Sequence, residues 1–433
     1  MKHILKQVII FIITWEAKLV LRKYKPKIVA VTGSVGKTST KDAIFSVLSH
    51  FYFVRKSEKS FNSEIGVPLT IIGCPNGWNS PMLWAKNILE GLVLILVPNH
   101  YPKWLVLEVG ADRPNDIKTL TQWLKPDIAV VTRLAKVPVH VEFFESAQAL
   151  YREKAFLVEA VPQDGFVILN SDDEDVLAFQ ERVIAKKLLY GTHAPSEVTG
   201  TSYSILYKEE EEGATPAGIS FDVSYGKSVG KVEVLGGLGI QQMYPALAAL
   251  SVGFSQKLPL SSMAEALRKH NPSRGRMKIL KGVKDTVLID DSYNSSPVAL
   301  LEALNTLKMT ETSGRKIAVL GDMLELGTFS MEEHKKAGEQ AGKTVERLFT
   351  VGVRSRAIAE GALQAGLSEK KVFQFEDSRV AGKELEIQLR KGDLVLLKGS
   401  QGIRMERAVE EVLAHPEEKE KLLVRQDDEW QSR

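Results

Sequence analysis

The residues best placed to do chemistry stand in Gly33-Ser34-Val35-Gly36-Lys37-Thr38-Ser39, directly after the apolar run Val29-Ala30-Val31. Two glycines let the backbone curl so that several N–H groups face one anion, Lys37 adds a positive charge, and the Thr38 hydroxyl suits a magnesium ion. From Lys37 to Ser49, Ala43, Ile44, Val47 and Leu48 recur at helical spacing, so a helix N-terminus should point at bound phosphates. The longer nucleotide-loop pattern places a further glycine at position 31, where this chain has Val31. The alternative is an ordinary strand-turn-helix corner.

Further along, the apolar stretch 104–109 contains Glu108, and His140 lies beyond the apolar stretch 128–132. Side chains at the carboxyl ends of parallel strands gather at the ligand crevice of an open α/β sheet. A carboxylate and an imidazole there could hold a divalent metal, although each is also an ordinary surface group. A helix over 147–158 carries Lys154, and Asn170-Ser171-Asp172-Asp173 reads as a polar turn before a helix.

These side chains need a scaffold. From Lys27 strands and helices alternate, which argues for a mainly parallel sheet covered on both faces. Residues 193–234 read as a small antiparallel insertion, with a solvated hairpin tip at 209–212 and an exposed strand at 219–223. Composition shifts again at Asn271-Pro272-Ser273-Arg274-Gly275-Arg276, and beyond it a second regular strand-helix alternation suggests a doubly wound domain. The fold class is α/β. A central P-loop ATPase domain (27–272) is followed by a C-terminal Rossmann-like domain (273–433), whose charged tail from Glu417 is expected to fray.

With 433 residues the chain is long enough for two or three domains. A net charge of +3 without a basic, aromatic-studded stripe argues against nucleic acid. One cysteine, Cys74, excludes an internal disulfide, suits a reducing, cytoplasmic setting, and reads as a small buried hydrophobe. Residues 4–15 are largely apolar and precede Lys18, Arg22, Lys23, Lys25 and Lys27. No small-residue cleavage site follows, and the run is far short of the roughly 20 residues of a membrane span. Two readings stay open: a helix lying on the inner membrane face, or a helix packed on the protein. The apolar segment 88–98 could join the membrane or be core.

Read together, the loops resemble the Mur ligase family of ATP-dependent amide-forming enzymes, closest to its D-alanyl-D-alanine-adding branch. The resemblance rests on Thr32-Gly33-Ser34-Val35-Gly36-Lys37-Thr38, Asn62-Ser63-Glu64-Ile65-Gly66-Val67-Pro68, Leu107-Glu108-Val109-Gly110-Ala111, Leu169-Asn170-Ser171-Asp172-Asp173 and Gly275-Arg276-Met277. It continues through Asp290-Asp291-Ser292-Tyr293-Asn294-Ser295-Ser296-Pro297, Gly321-Asp322-Met323-Leu324-Glu325-Leu326-Gly327 and Lys398-Gly399-Ser400-Gln401-Gly402. The short loop with Val31 in the strand is how this family writes its phosphate site.

The resemblance implies transfer of the ATP γ-phosphoryl group to a muramyl-peptide carboxylate and attack on the acyl phosphate by the amine of D-alanyl-D-alanine. It implies Lys37 and the loop amides on the phosphates, Thr38 and Glu108 on one magnesium ion, and His140 helping to hold a second. It further implies a carbamylated Lys154, Arg276 on ATP phosphates after domain closure, Asp290 or Asp291 on the ribose, and Tyr293 and Asn294 beside the adenine. Three departures stand out. Thr132-Arg133 and a longer path to His140 replace the family's threonine-asparagine and nearby histidine, and Gln241-Gln242 replaces its histidine-asparagine pair. Only residues 1–26 precede Lys27, so the usual front domain that grips UDP is expected to be missing, with an apolar helix in its place. The acceptor is therefore read as UDP-linked or lipid-linked. The competing readings are an amide ligase for another envelope polymer and a non-catalytic ATP-binding membrane partner.

Overall fold

The computed structural model describes residues 2–58, 61–62, 64–77, 80–134, 144–210, 213–427 and 430. Strands β1 (Lys27–Thr32), β2 (Val54–Lys56), β3 (Trp104–Glu108), β4 (Ile128–Val131), β5 (Phe166–Asn170), β6 (Lys186–Gly191), β7 (Val198–Glu210), β8 (Gly213–Tyr225) and β9 (Ser228–Leu235) form one nine-stranded sheet. Its order is β2-β3-β1-β4-β5-β6-β7-β8-β9. Pairing is parallel from β2 through β7, and the last two pairs are antiparallel.

The period of two in β1 places alternate side chains in two different cores. Val29 and Val31 face a cluster with the helices Lys37–Ser49 and Ile240–Ser255, while Ile28 and Ala30 face one built with the helices Lys2–Tyr24 and Gly66–Ile72. A strand covered on both faces has no room for polar residues, which is why 28–31 reads as an unbroken apolar run.

The antiparallel end is an extension of this sheet rather than an appendage, because β7 pairs with β6. The strand expected to be exposed at 219–223 is paired on both sides, between β7 and β9. Ile219, Phe221 and Val223 are buried against Met243 and Leu247 of the following helix, and only the alternation was legible, not what covers it.

The second sheet contains β10 (Lys278–Gly282), β11 (Thr286–Asp291), β12 (Lys316–Gly321), β13 (Arg347–Val351), β14 (Val372–Phe375) and β15 (Leu394–Lys398) in the order β10-β11-β15-β12-β13-β14. All its pairs are parallel except the β10-β11 edge. The tail is docked, contrary to the fraying expected from its charge. Leu423, Val424 and Arg425 are buried, because two apolar residues and one arginine with buried partners outweigh the charged residues around them.

The helix Lys2–Tyr24 is longer than its apolar run and packs on the protein through Ile13, Ala17 and Val20, while Phe11 and Trp15 remain 73% and 49% exposed. Beside it runs Pro81–Leu96, where a β-carbon at Gly91 would overlap the Glu16 carboxylate. That buried carboxylate has no hydrogen-bond partner among the described residues, and burial pushes its pKa up to about 7. Segment 88–98 is core on one face only: Ile88, Leu94 and Ile95 pack against the cluster that holds Ile13 and Ala17, while Leu89, Val93, Leu96 and Val97 are exposed. Cys74 is buried as expected but is not merely a hydrophobe, since its thiol donates to Glu90 Oε2 at 3.2 Å.

Candidate active site

The loop after β1 is shaped by backbone conformations that favour glycine. Gly33 has φ 144° and Gly36 φ 87°, and a β-carbon at Gly33 would overlap the Thr132 hydroxyl. The Ser34 and Val35 amides donate to the Arg133 carbonyl at 2.6 and 3.3 Å, pinning the loop to the end of β4. Gly36 caps the helix Lys37–Ser49 without a side-chain bond, so the first-turn amides, with the Thr38 and Ser39 side chains, remain available to an anion.

Two ammonium groups meet one carbonyl in this loop. Lys37 Nζ donates to Gly33 O at 3.0 Å and Lys154 Nζ donates to the same oxygen at 3.1 Å. Burial and then the nearby Lys37 charge bring the Lys154 pKa down to about 7. Burial lowers that of Lys37 as well, with Glu108 opposing and Arg276 reinforcing the shift. Lys37, Lys154 and Arg276 are thus gathered where none is neutralised by a salt bridge among the described residues, a charge pattern that fits a polyanion.

Glu108 ends β3 only 2% exposed. Its Oε1 accepts from Asn62 Nδ2 at 3.4 Å, and its Oε2 is buried with no partner among the described residues, as are the Thr32 and Ser34 hydroxyls. A hard divalent cation held by phosphates and one carboxylate would satisfy such oxygens. Among the described residues no group of three or more His, Cys, Asp or Glu could hold a metal by itself, so phosphate oxygens would have to complete the shell. His140 lies outside the described residues.

Opposite the loop, across a cleft between the two sheets, stand Arg276, Asp291 and Lys398. Lys398 Nζ pairs with Asp291 Oδ2 at 2.6 Å and donates to Asn294 O at 2.8 Å. The Arg276 guanidinium stacks 4.1 Å from the Tyr293 ring centroid, and its Nε is buried without a partner among the described residues. Of the two aspartates left open by the sequence, Asp291 lines the cleft. Asp290 is fully buried, receives the Ser292 amide at 3.1 Å, and has its pKa pushed up to about 6 by burial.

Several cleft residues carry no strong sequence signal. Asn170, read as part of a polar turn, lines the cleft, as does Gln241, and the Asn170 Nδ2 and both Gln241 amide atoms have no partner among the described residues. Gln242 Nε2 donates to Arg276 O at 2.8 Å. Arg133 ion-pairs with Glu302 of the C-terminal half, so the residue standing where the family has asparagine bridges the two domains.

Residues 90–253 match the Mur ligase middle domain and residues 275–401 match the Mur ligase glutamate ligase domain. The UDP-N-acetylmuramoyl-tripeptide–D-alanyl-D-alanine ligase of Mycobacterium leprae is 30% identical over 402 residues, covering 87% of this chain and 71% of that protein. This chain belongs to the Mur ligase family. The enzyme of the same name from Bacillus subtilis is 27% identical over 401 residues, covering 92% of this chain and 79% of that one. The MurF ligase of Thermotoga maritima, solved with ADP, superposes with a TM-score of 0.74 at 24% identity, covering 95% of this chain and 84% of that structure. As a Mur ligase the chain is an ATP-dependent enzyme that forms amide bonds, and the cleft joins the two domains between which such a reaction would run.

Proposed function

We propose that this Mur ligase adds D-alanyl-D-alanine to the terminal carboxylate of a muramyl tripeptide. Relatives at 27–30% identity over most of the chain bear that activity in their names. Within the fold, the observation that carries a phosphoryl-transfer site is the meeting of Lys37 and Lys154 on Gly33 O of a glycine loop, with Arg276 across the cleft and a Glu108 oxygen that has no partner among the described residues. The carboxylate gains the γ-phosphoryl group as ADP leaves; the amine then attacks the acyl carbon, phosphate departs, and a proton is released. Lys37 and the loop amides hold the phosphate oxygens, and closure of the Arg276 side excludes water from the reactive acyl group.

Thr38 and Glu108 would hold magnesium, which neutralises phosphate charge when bound. Lys154 fits a carbamate. With a pKa near 7, a large fraction of its amine is neutral and can add to carbon dioxide, releasing a proton and becoming an anion. That change relieves the crowding of two cations on Gly33 O and supplies a second acidic ligand. His140 is assigned beside it from the family pattern alone. In the C-terminal domain the Ser400 amide donates to Asp322 O and the Leu324 amide to Ser400 Oγ, both at 2.9 Å. These bonds tie the 321–327 motif to the carboxyl ends of β12 and β15, where the incoming dipeptide would be received. Phosphate release with ATP and UDP-muramyl-tripeptide should rise at least tenfold on adding D-alanyl-D-alanine; an unchanged rate overturns this substrate assignment.

A membrane-bound acceptor is favoured by one feature. Val8, Phe11 and Trp15 are exposed on a single face of the helix Lys2–Tyr24, with Arg22 further along the same face, and the helix's sole acidic residue, Glu16, is buried. No helix among the described residues is long and apolar enough to cross a membrane. An apolar stripe with a basic end suits the surface of an anionic bilayer. Wild-type protein should float with vesicles containing phosphatidylglycerol, and Phe11→Asp/Trp15→Asp should lose most of that binding. Equal flotation of the two proteins would remove the membrane from the reading.

A further inference from the structure

The tail meets both the carboxyl end of β11 and the linker that joins the two halves of the site. Arg425 is 8% exposed and its Nη2 pairs with Oε2 of Glu406, itself 1% exposed, at 2.7 Å. The same Nη2 donates to Ser292 O at 2.6 Å, and Nη1 donates to Tyr293 O at 3.0 Å. One guanidinium therefore anchors the backbone of the loop that carries Tyr293. The Tyr293 ring lies between two arginines, with Arg276 at 4.1 Å and Arg425 at 5.8 Å from its centroid.

The linker is gripped by the same tail. Arg274 Nη1 donates to Glu420 O at 2.7 Å, and Val424 Cγ1 would lie 3.1 Å from a β-carbon at Gly275. The Tyr293 amide in turn donates to Gly275 O at 3.1 Å. Gly275 and Met277 have φ of 64° and 53°, so Arg276 projects from a backbone held in the left-handed region on both sides. Such a conformation persists when its surroundings over-determine it; the tail supplies them at Gly275, and Asp291, which accepts from the Met277 amide, supplies them at Met277.

We propose that the C-terminal tail is part of the nucleotide site, with Arg425 acting as a positioning residue that holds Tyr293, and through it Arg276, in the orientation that meets the nucleotide. This rests on the reading of Arg276 and Tyr293 as nucleotide-facing. Arg425 pre-organises the pair, so its loss falls on nucleotide affinity rather than on the chemical step.

The test compares ADP affinity by calorimetry, and KM for ATP against kcat, in full-length wild-type, Arg425→Lys, Arg425→Ala and Arg276→Ala proteins. Arg425→Lys keeps the charge beside Glu406 but loses the fork that spans the Ser292 and Tyr293 carbonyls. It should fold, weaken ADP binding about fivefold, and raise KM for ATP similarly, with kcat within about twofold. Arg425→Ala should weaken binding by more than about tenfold; because it strands a buried carboxylate it can fail to fold, in which case Arg425→Lys decides. Wild-type ADP affinity in Arg425→Lys together with a loss in Arg276→Ala overturns the role of the tail. Unchanged affinity in Arg276→Ala overturns the nucleotide placement itself, and the proposal with it.

Discussion

Lys154→Ala is expected to lower kcat by roughly 10²–10³-fold, the range seen when one pre-organised electrostatic group is removed from a reaction that develops charge. If the working form of Lys154 is its carbamate, the alanine variant leaves a space where a small carboxylate can bind, so millimolar acetate or formate should restore part of the lost activity. Lys154→Arg should not be rescued, because a guanidinium stays cationic beside Lys37 and fills the space. The pH dependence has a definite sign. Burial lowers the amine pKa to about 7, and only the neutral amine adds to carbon dioxide. Carbamate loading, followed by mass spectrometry or carbon-13 NMR, should therefore rise as pH increases through about 7 and fall below it. Activity lost in Lys154→Ala but never recovered by carboxylates, with no carbamate signal in the wild type, would reduce Lys154 to a structural lysine.

The second large effect is expected at Lys37. Lys37→Ala should lower kcat/KM for ATP by at least about 10³-fold if, as proposed, this lysine is the loop charge that holds the phosphates. Lys37→Arg should recover little. The loop has no slack: its Gly33 carbonyl already receives two lysines, and its backbone packs directly against Thr132. A planar fork cannot replace a compact ammonium there. Thermal unfolding without nucleotide should shift little in Lys37→Ala, because burial penalises the charge that the substitution removes. Retention of more than a tenth of wild-type kcat/KM would exclude Lys37 from the phosphate site.

Much of the site could be read from residues close together in the chain. Gly33, Gly36, Lys37 and Thr38 lie within one turn, and a loop whose conformation depends on local φ values announces itself locally. Glu108 could be placed because a carboxylate at the end of an apolar strand has few other reasons to be there. Gln241, Asn170 and the choice of Asp291 over Asp290 were not legible in the same way. Adjacent residues at a strand end point to opposite sides, and which side meets the cleft depends on the packing of the neighbouring domain. The C-terminal tail shows the same limit. Its charge predicted fraying, whereas Arg425 is held by Glu406, Ser292 and Tyr293, partners 19 to 133 positions away.

The sequence alone therefore determined the local pattern: a glycine loop ending in Lys37 and Thr38, the strand-helix alternation that carries it, and the order of motifs that places the chain among the Mur ligases. Tertiary structure decided what each ionisable group is able to do. The Lys154 pKa comes down to about 7 only because folding takes the amine out of water and sets it beside Lys37. Tyr293 becomes a platform between Arg276 and Arg425 only because the tail returns to the linker. Charge state and orientation depend on neighbours brought together across the fold, and spacing along the chain does not contain those distances.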